Sequence, residues 1–156
     1  QFNAELGFAE MYLNGFCVEQ EIRTLEVSRF VSKIAEISEV RAKLVEQQQE
    51  MGKEKAIVMD GRDIGTVVFP DAELKLFMTA SAETRAKRRF DELVEKGQHV
   101  TFAEVLQNVQ ERDYIDTNRE DSPLVKASNA IEIDNSSMSK TEQFELVYNL
   151  IMSRIK

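Results

Sequence analysis

Arg112, Asp116 and Arg119 stand at i, i+4 and i+7, a spacing that turns all three toward one side of a helix. A carboxylate there can accept from hydroxyls, and guanidinium forks match phosphate oxygens two at a time. The same charges would also serve as a salt-bridge ladder on a solvated face, each pair contributing about 0.3 kcal/mol. Their place along the helix favours a site: an apolar stripe of Phe102, Val105, Leu106 and Val109 runs on into Asp113 and Asp116 instead of further leucines. A second cluster, "RAKRR", sets Arg85, Arg88 and Arg89 at i, i+3 and i+4. Three crowded guanidinium groups repel unless an anion lies among them, so this is either a phosphate clamp or a solvated face compensated by Glu83, Asp91 and Glu92. A third, "AIVMDGRD" at residues 56–63, ends an apolar run in Asp60, Arg62 and Asp63. At the carboxyl end of a buried parallel strand these would face a ligand crevice, with Gly61 allowing a sharp turn or a close approach. A surface ion pair of Arg62 with Asp63 is the alternative.

The rest of the inventory is narrow. His99 is the single histidine and reads as a loop residue, and Cys17, the single cysteine, reads as a small packed side chain. Neither metal-ligand spacing nor a Ser, His and Asp trio can be assembled. Carboxylates and arginines are left as the working groups, which suits phosphoryl transfer, where a protein mainly positions reactants and neutralises charge.

The elements that must hold these groups alternate between strand and helix. Residues 1–18 read as a hairpin with turns at Gly7 and Asn14-Gly15. A helix follows from Thr24 with Val27, Phe30, Val31 and Ile34 as its apolar face, and Ser38 caps a second helix through Gln49, with Gly52 as a helix stop. Ser32 and Arg41 lie on these two. Next come buried strands at 56–59 and 74–80, and between the last of them and Gly97 a helix capped by Ser81. Thr101 with Glu104 forms a capping box for the helix from Phe102 toward Asp116. "AIEIDNS" reads as a third strand, and the closing helix turns Phe144, Val147, Leu150 and Ile151 inward. Such alternation predicts an α/β fold with a parallel sheet flanked by helices.

Composition bounds the partners. A chain of 156 residues with 42% apolar content suits one domain with a real core. A net charge of −8 argues against coating nucleic acid or an anionic membrane, so an anionic ligand needs a local arginine cluster. One cysteine, with no signal peptide or long apolar segment, points to the cytoplasm.

Taken together, "EIRTLEVS", "VMDGRDIGTVVFPDAELKLF", "RAKRRFDEL" and "ERDYIDTNREDSPL" resemble bacterial cytidylate kinases, in order and over essentially the whole chain. The resemblance implies a P-loop nucleoside monophosphate kinase fold that transfers the γ-phosphoryl of ATP to CMP or dCMP with Mg2+. It implies that Ser32, Arg41 and Asp63 surround the cytosine, that Arg112 and Asp116 hold the sugar, and that Arg62 and Arg119 meet the CMP phosphate. Arg62, Arg112 and Arg119 are thereby the catalytic candidates. Arg85, Arg88 and Arg89 would begin a lid over ATP, and Asp60 would act on magnesium only indirectly. The implied organisation is a monophosphate-binding lobe over 1–51 and a sheet domain over 52–156 with a lid around 81–119. A monomer is expected of the full-length enzyme.

One departure stands against these matches. The glycine-rich loop GxxxxGK[ST] is missing from these 156 residues: Gly52-Lys53 is followed by Glu54. With it go the family's first strand, central in the sheet, and the hydroxyl that holds magnesium. A start at Gln1 agrees with truncation. Two expectations follow: a kinase whose P-loop segment lies outside these residues, or a non-catalytic nucleotide-binding or assembly fragment prone to self-association. A kinase for another monophosphate such as UMP is the nearby alternative. Negligible kinase activity is expected of the 156 residues alone.

Overall fold

The computed structural model describes residues 2–5 and 7–154. The front region folds as two small antiparallel ladders where the sequence predicts one hairpin: β1 (Phe2–Asn3) with β2 (Phe8–Ala9), and β3 (Tyr12–Leu13) with β4 (Phe16–Cys17). Asn14 and Gly15, at φ 51° and 85°, form the tight connection that the dipeptide favours because both accept the left-handed region. Cys17 is exposed here, contrary to its reading as a packed residue, because a two-residue ladder has no second layer over it.

Helix α1 (Leu25–Ile34) starts at Thr24, whose side chain accepts from the Val27 amide. Its inward face is Leu25, Ser28 and Ser32, not the expected Val27, Phe30 and Val31, which are 38%, 63% and 45% exposed. The reason is the neighbour: α1 packs on α4, which meets it with buried Asn108 and with Arg112, both hydrogen-bonded to Ser28, so polar side chains turn inward. Helix α2 (Ser38–Met51) follows, with Ile37 rather than Ser38 at the cap position and Gly52 at its end. A Cβ on Gly52 would lie 2.3 Å from the Phe69 ring, so the helix can stop there only without a side chain.

Residues 56–59 do not form the predicted strand. Lys55 and Ala56 take φ of 60° and 53°, and Val58 is 94% exposed. An apolar run becomes a strand only beside a partner that takes its amides and carbonyls, and no described strand pairs with it. The chain then makes one π-helical turn, Ile64–Val68, against which α2 packs.

Strands β5 (Leu76–Thr79) and β6 (Ile131–Asp134) pair in parallel, from Leu76 opposite Ile131 to Thr79 opposite Asp134. The crossover between them contains α3 (Ala82–Glu95) and α4 (Phe102–Asn118). Ser81 caps α3, and Gly97, at φ 75°, ends it as the Gly97 and Gln98 amides turn back to the Val94 and Leu93 carbonyls. Thr101 and Glu104 form the reciprocal capping box of α4. The core lies between these helices: Ala86, Leu93 and Val105 are fully buried, ringed by Phe90, Val100, Leu106 and Val109. Full burial of Leu93 alone is worth about 2 kcal/mol. Helix α5 (Lys140–Met152) closes the fold with a second capping box at Ser139 and Glu142. Phe144 is 68% exposed and stacks on Tyr148 at 6.0 Å instead of pointing inward; no described element packs closely enough on that side to take the ring.

Candidate active site

Four segments separated in the sequence meet around one hollow of about 200 Å³. Ser32 comes from α1, Arg41 from α2, Arg62 and Asp63 from the turn after Gly61, and Arg112 and Asp116 from α4, with Arg119 at the end of that helix. All seven residues expected around CMP therefore line the same space. Neither surface alternative describes them: Asp63, Asp116 and Arg119 are buried, and Arg62 and Asp63 pair with other segments rather than with each other.

Asp63 pairs with Arg41 across the hollow, and Arg41 also donates to the Ala35 carbonyl at 3.4 Å. Asp116 accepts from Arg119 Nη1 at 3.2 Å, and Arg119 Nε donates to the Ser122 carbonyl at 2.9 Å. Arg62 Nε lies 3.1 Å from Asp116 Oδ2, close enough to attract but misdirected for a hydrogen bond, so that buried oxygen has no donor. Arg41 Nε, Arg112 Nε and Arg119 Nη2 are likewise buried without an acceptor. Buried polar atoms are normally paired, and here three donors and one acceptor without a partner belong to residues that line one hollow.

Around that space arginines outnumber carboxylates four to two. Burial, and then the Arg62 charge, lowers the pKa of Arg112; burial, and then Arg41, lowers that of Arg119. Cations held together and desolvated destabilise one another until an anion joins them.

The "RAKRR" arginines lie elsewhere and fan apart. Arg85 grips Asp113 of α4 bidentately at 2.8 and 2.6 Å, a hydrogen-bonded pair that raises the arginine's pKa. Arg88 donates to Asn135 beyond β6, at 3.0 Å to its side chain and 2.7 Å to its carbonyl. Arg89 holds Glu92 and the Arg23 carbonyl. Asp60 is exposed and outside the hollow's lining.

Two buried residues beside the site escaped the sequence reading. Ser28 Oγ donates to Asn108 Oδ1 at 3.0 Å and accepts from Arg112 Nη1 at 3.1 Å. The available signal was periodic: Ser28 precedes Ser32, and Asn108 precedes Arg112, by one helical turn.

Fold and site together define a class, α/β proteins with an arginine-rich hollow between helices that suits a small anion. A family model described as Cytidylate kinase matches residues 1–153. Proteins named cytidylate kinase from Flavobacterium johnsoniae, Flavobacterium psychrophilum and Parabacteroides distasonis are 72%, 70% and 61% identical over 100%, 97% and 92% of this chain. The matched stretch spans 68%, 67% and 62% of those relatives' own lengths. The chain belongs to the cytidylate kinase family of phosphotransferases.

Proposed function

We propose that the protein transfers the γ-phosphoryl group of ATP to CMP or dCMP, giving CDP or dCDP, and that the hollow is its monophosphate site. The observation that carries this is the convergence of four arginines and two carboxylates on one hollow. Arg41, Arg62, Arg112 and Arg119 line it beside Asp63 and Asp116, and guanidinium forks with carboxylates suit a phosphate, a sugar hydroxyl and a base that both donates and accepts. Ser32, Arg41 and Asp63 take the cytosine. Its amino group donates and its N3 and O2 accept, so a carboxylate beside an arginine fits it. Uracil would set an acceptor against a carboxylate, at a cost of about 1 to 3 kcal/mol.

Arg112 and Asp116 hold the sugar, and Arg62 and Arg119 the phosphate. An oxygen of the CMP phosphate forms the new bond to the γ-phosphorus of ATP as the bond to the departing ADP breaks. Arg62, Arg112 and Arg119 contribute by holding the nucleophile in line and balancing the charge of two phosphate groups brought together. Arg85, Arg88 and Arg89 belong to a lid region around 81–119 within the sheet domain of 52–156, with 1–51 as the monophosphate lobe. Magnesium enters with ATP. The described residues do not build a site for it: no group of three or more His, Cys, Asp or Glu could hold an ion, and Asp60 would reach one only through water. No step above depends on the metal.

No described helix is long and apolar enough to cross a membrane, and a monomeric cytoplasmic enzyme is the proposed setting. Titration of the protein with CMP, dCMP, UMP and AMP tests the reading. The two cytidine nucleotides are expected to bind at least about tenfold more tightly than the others, in line with the cost of one unpaired buried group. Equal affinity for UMP would overturn the base assignment. The 156 residues by themselves, lacking GxxxxGK[ST], are expected to make no measurable CDP.

A further inference from the structure

Arg112 differs from the other arginines of the hollow in what holds it. Arg41 is paired with Asp63, and Arg62 and Arg119 with Asp116. Arg112 has no carboxylate within ion-pair distance among the described residues, and its hydrogen-bond partner is the Ser28 hydroxyl. A carboxylate in that place would orient the guanidinium and also neutralise it. A hydroxyl orients it and leaves the charge for a ligand.

A serine hydroxyl can rotate, so it directs an arginine only if its own proton is fixed. Asn108 does this, because its Oδ1 accepts the Ser28 proton at 3.0 Å and so turns an oxygen lone pair toward Arg112 Nη1 at 3.1 Å. Both Ser28 and Asn108 are buried, where a misdirected polar group is costly and the arrangement is correspondingly well defined. The chain positions also couple two parts of the site. Ser28 lies one turn before Ser32 on α1, and Asn108 one turn before Arg112 on α4, so one hydroxyl ties the helix at the base to the helix at the sugar.

We propose that Ser28 and Asn108 are positioning residues for the monophosphate substrate: the Asn108 amide orients the Ser28 hydroxyl, which aims Arg112, held by no paired carboxylate, into the hollow. This rests on reading the hollow as the CMP site.

The test uses calorimetric CMP binding and steady-state kinetics on the full-length protein, comparing Ser28→Ala, Ser28→Thr, Asn108→Ala and Arg112→Ala, with Ser28→Ala also made in the Arg112→Ala background. Ser28→Ala is expected to raise Kd and KM for CMP about tenfold, the range for a hydrogen bond to a charged group, and to leave KM for ATP within about twofold. Ser28→Thr, which keeps the hydroxyl, stays within about threefold of the parent, and Asn108→Ala falls between, as one of two linked bonds is lost. In the Arg112→Ala background the serine substitution has no further effect on CMP, the signature of two residues acting as one unit. Additive losses in that background would overturn the proposal, and so would equal losses for CMP and ATP with lowered stability, which mark a structural role. Should Ser28→Ala not fold, unchanged CMP affinity in Asn108→Ala has the same force. A parent protein that does not bind CMP refutes the site assignment itself, whereas one that binds CMP indifferently to these substitutions refutes only the positioning role.

Discussion

Asp116 is the residue on which the site's electrostatics turn. It is buried beside Arg119 and Arg62, and removing one partner of a buried pair costs far more than the pair contributes, because the remaining charge is stranded. Asp116→Ala is therefore expected to destabilise the protein by about 3 kcal/mol or more in urea unfolding. Arg41→Ala acts more locally. It leaves Asp63 without its partner at the base end, so CMP affinity is expected to fall about tenfold and ATP affinity to change less than twofold, measured by calorimetry. Equal losses for both nucleotides would remove Arg41 from the base pocket. At this scale the charged groups were legible, because Arg112, Asp116 and Arg119 recur at helical spacing while Asp113 and Asp116 interrupt an apolar stripe. Ser28 and Asn108 were not. A serine among charged neighbours reads as solvated until its partner, 80 residues along the chain, is known to lie beside it.

At the scale of elements, the ends of helices were the most legible features because caps are local chemistry. Thr101→Ala is expected to cost about 1 kcal/mol in chemical unfolding, since it strips one half of the α4 capping box. The other half titrates. Hydrogen bonds from the Thr101 amide, and then from its side chain, hold the Glu104 carboxyl below its ordinary value. Its contribution is complete above the ordinary glutamate range and is lost as pH falls through the depressed value. The difference in Tm between the parent and Glu104→Gln should accordingly shrink on acidification; a difference that grows would contradict the assignment. Features that depend on neighbours were the ones misread. The apolar pattern of α1 pointed to Val27, Phe30 and Val31, but α4 presents Asn108 and Arg112, and the helix turned Ser28 to them. Residues 56–59 have a strand's composition, yet a strand exists only as part of a ladder.

For the whole molecule, a net charge of −8 coexists with a hollow in which arginines outnumber carboxylates four to two. Net charge speaks to solubility and bulk association, whereas binding of a small anion is decided by the groups within a few ångströms. Four chain segments converge on one space, and amide chemical-shift mapping during a CMP titration reads that convergence in solution. Saturable shifts are predicted at Ser32, Arg41, Arg62, Asp63, Arg112, Asp116 and Arg119. Shifts confined to other faces, such as the Lys33 and Tyr114 side of α4 or the Arg88 end of β6, or no shifts at all, would contradict it.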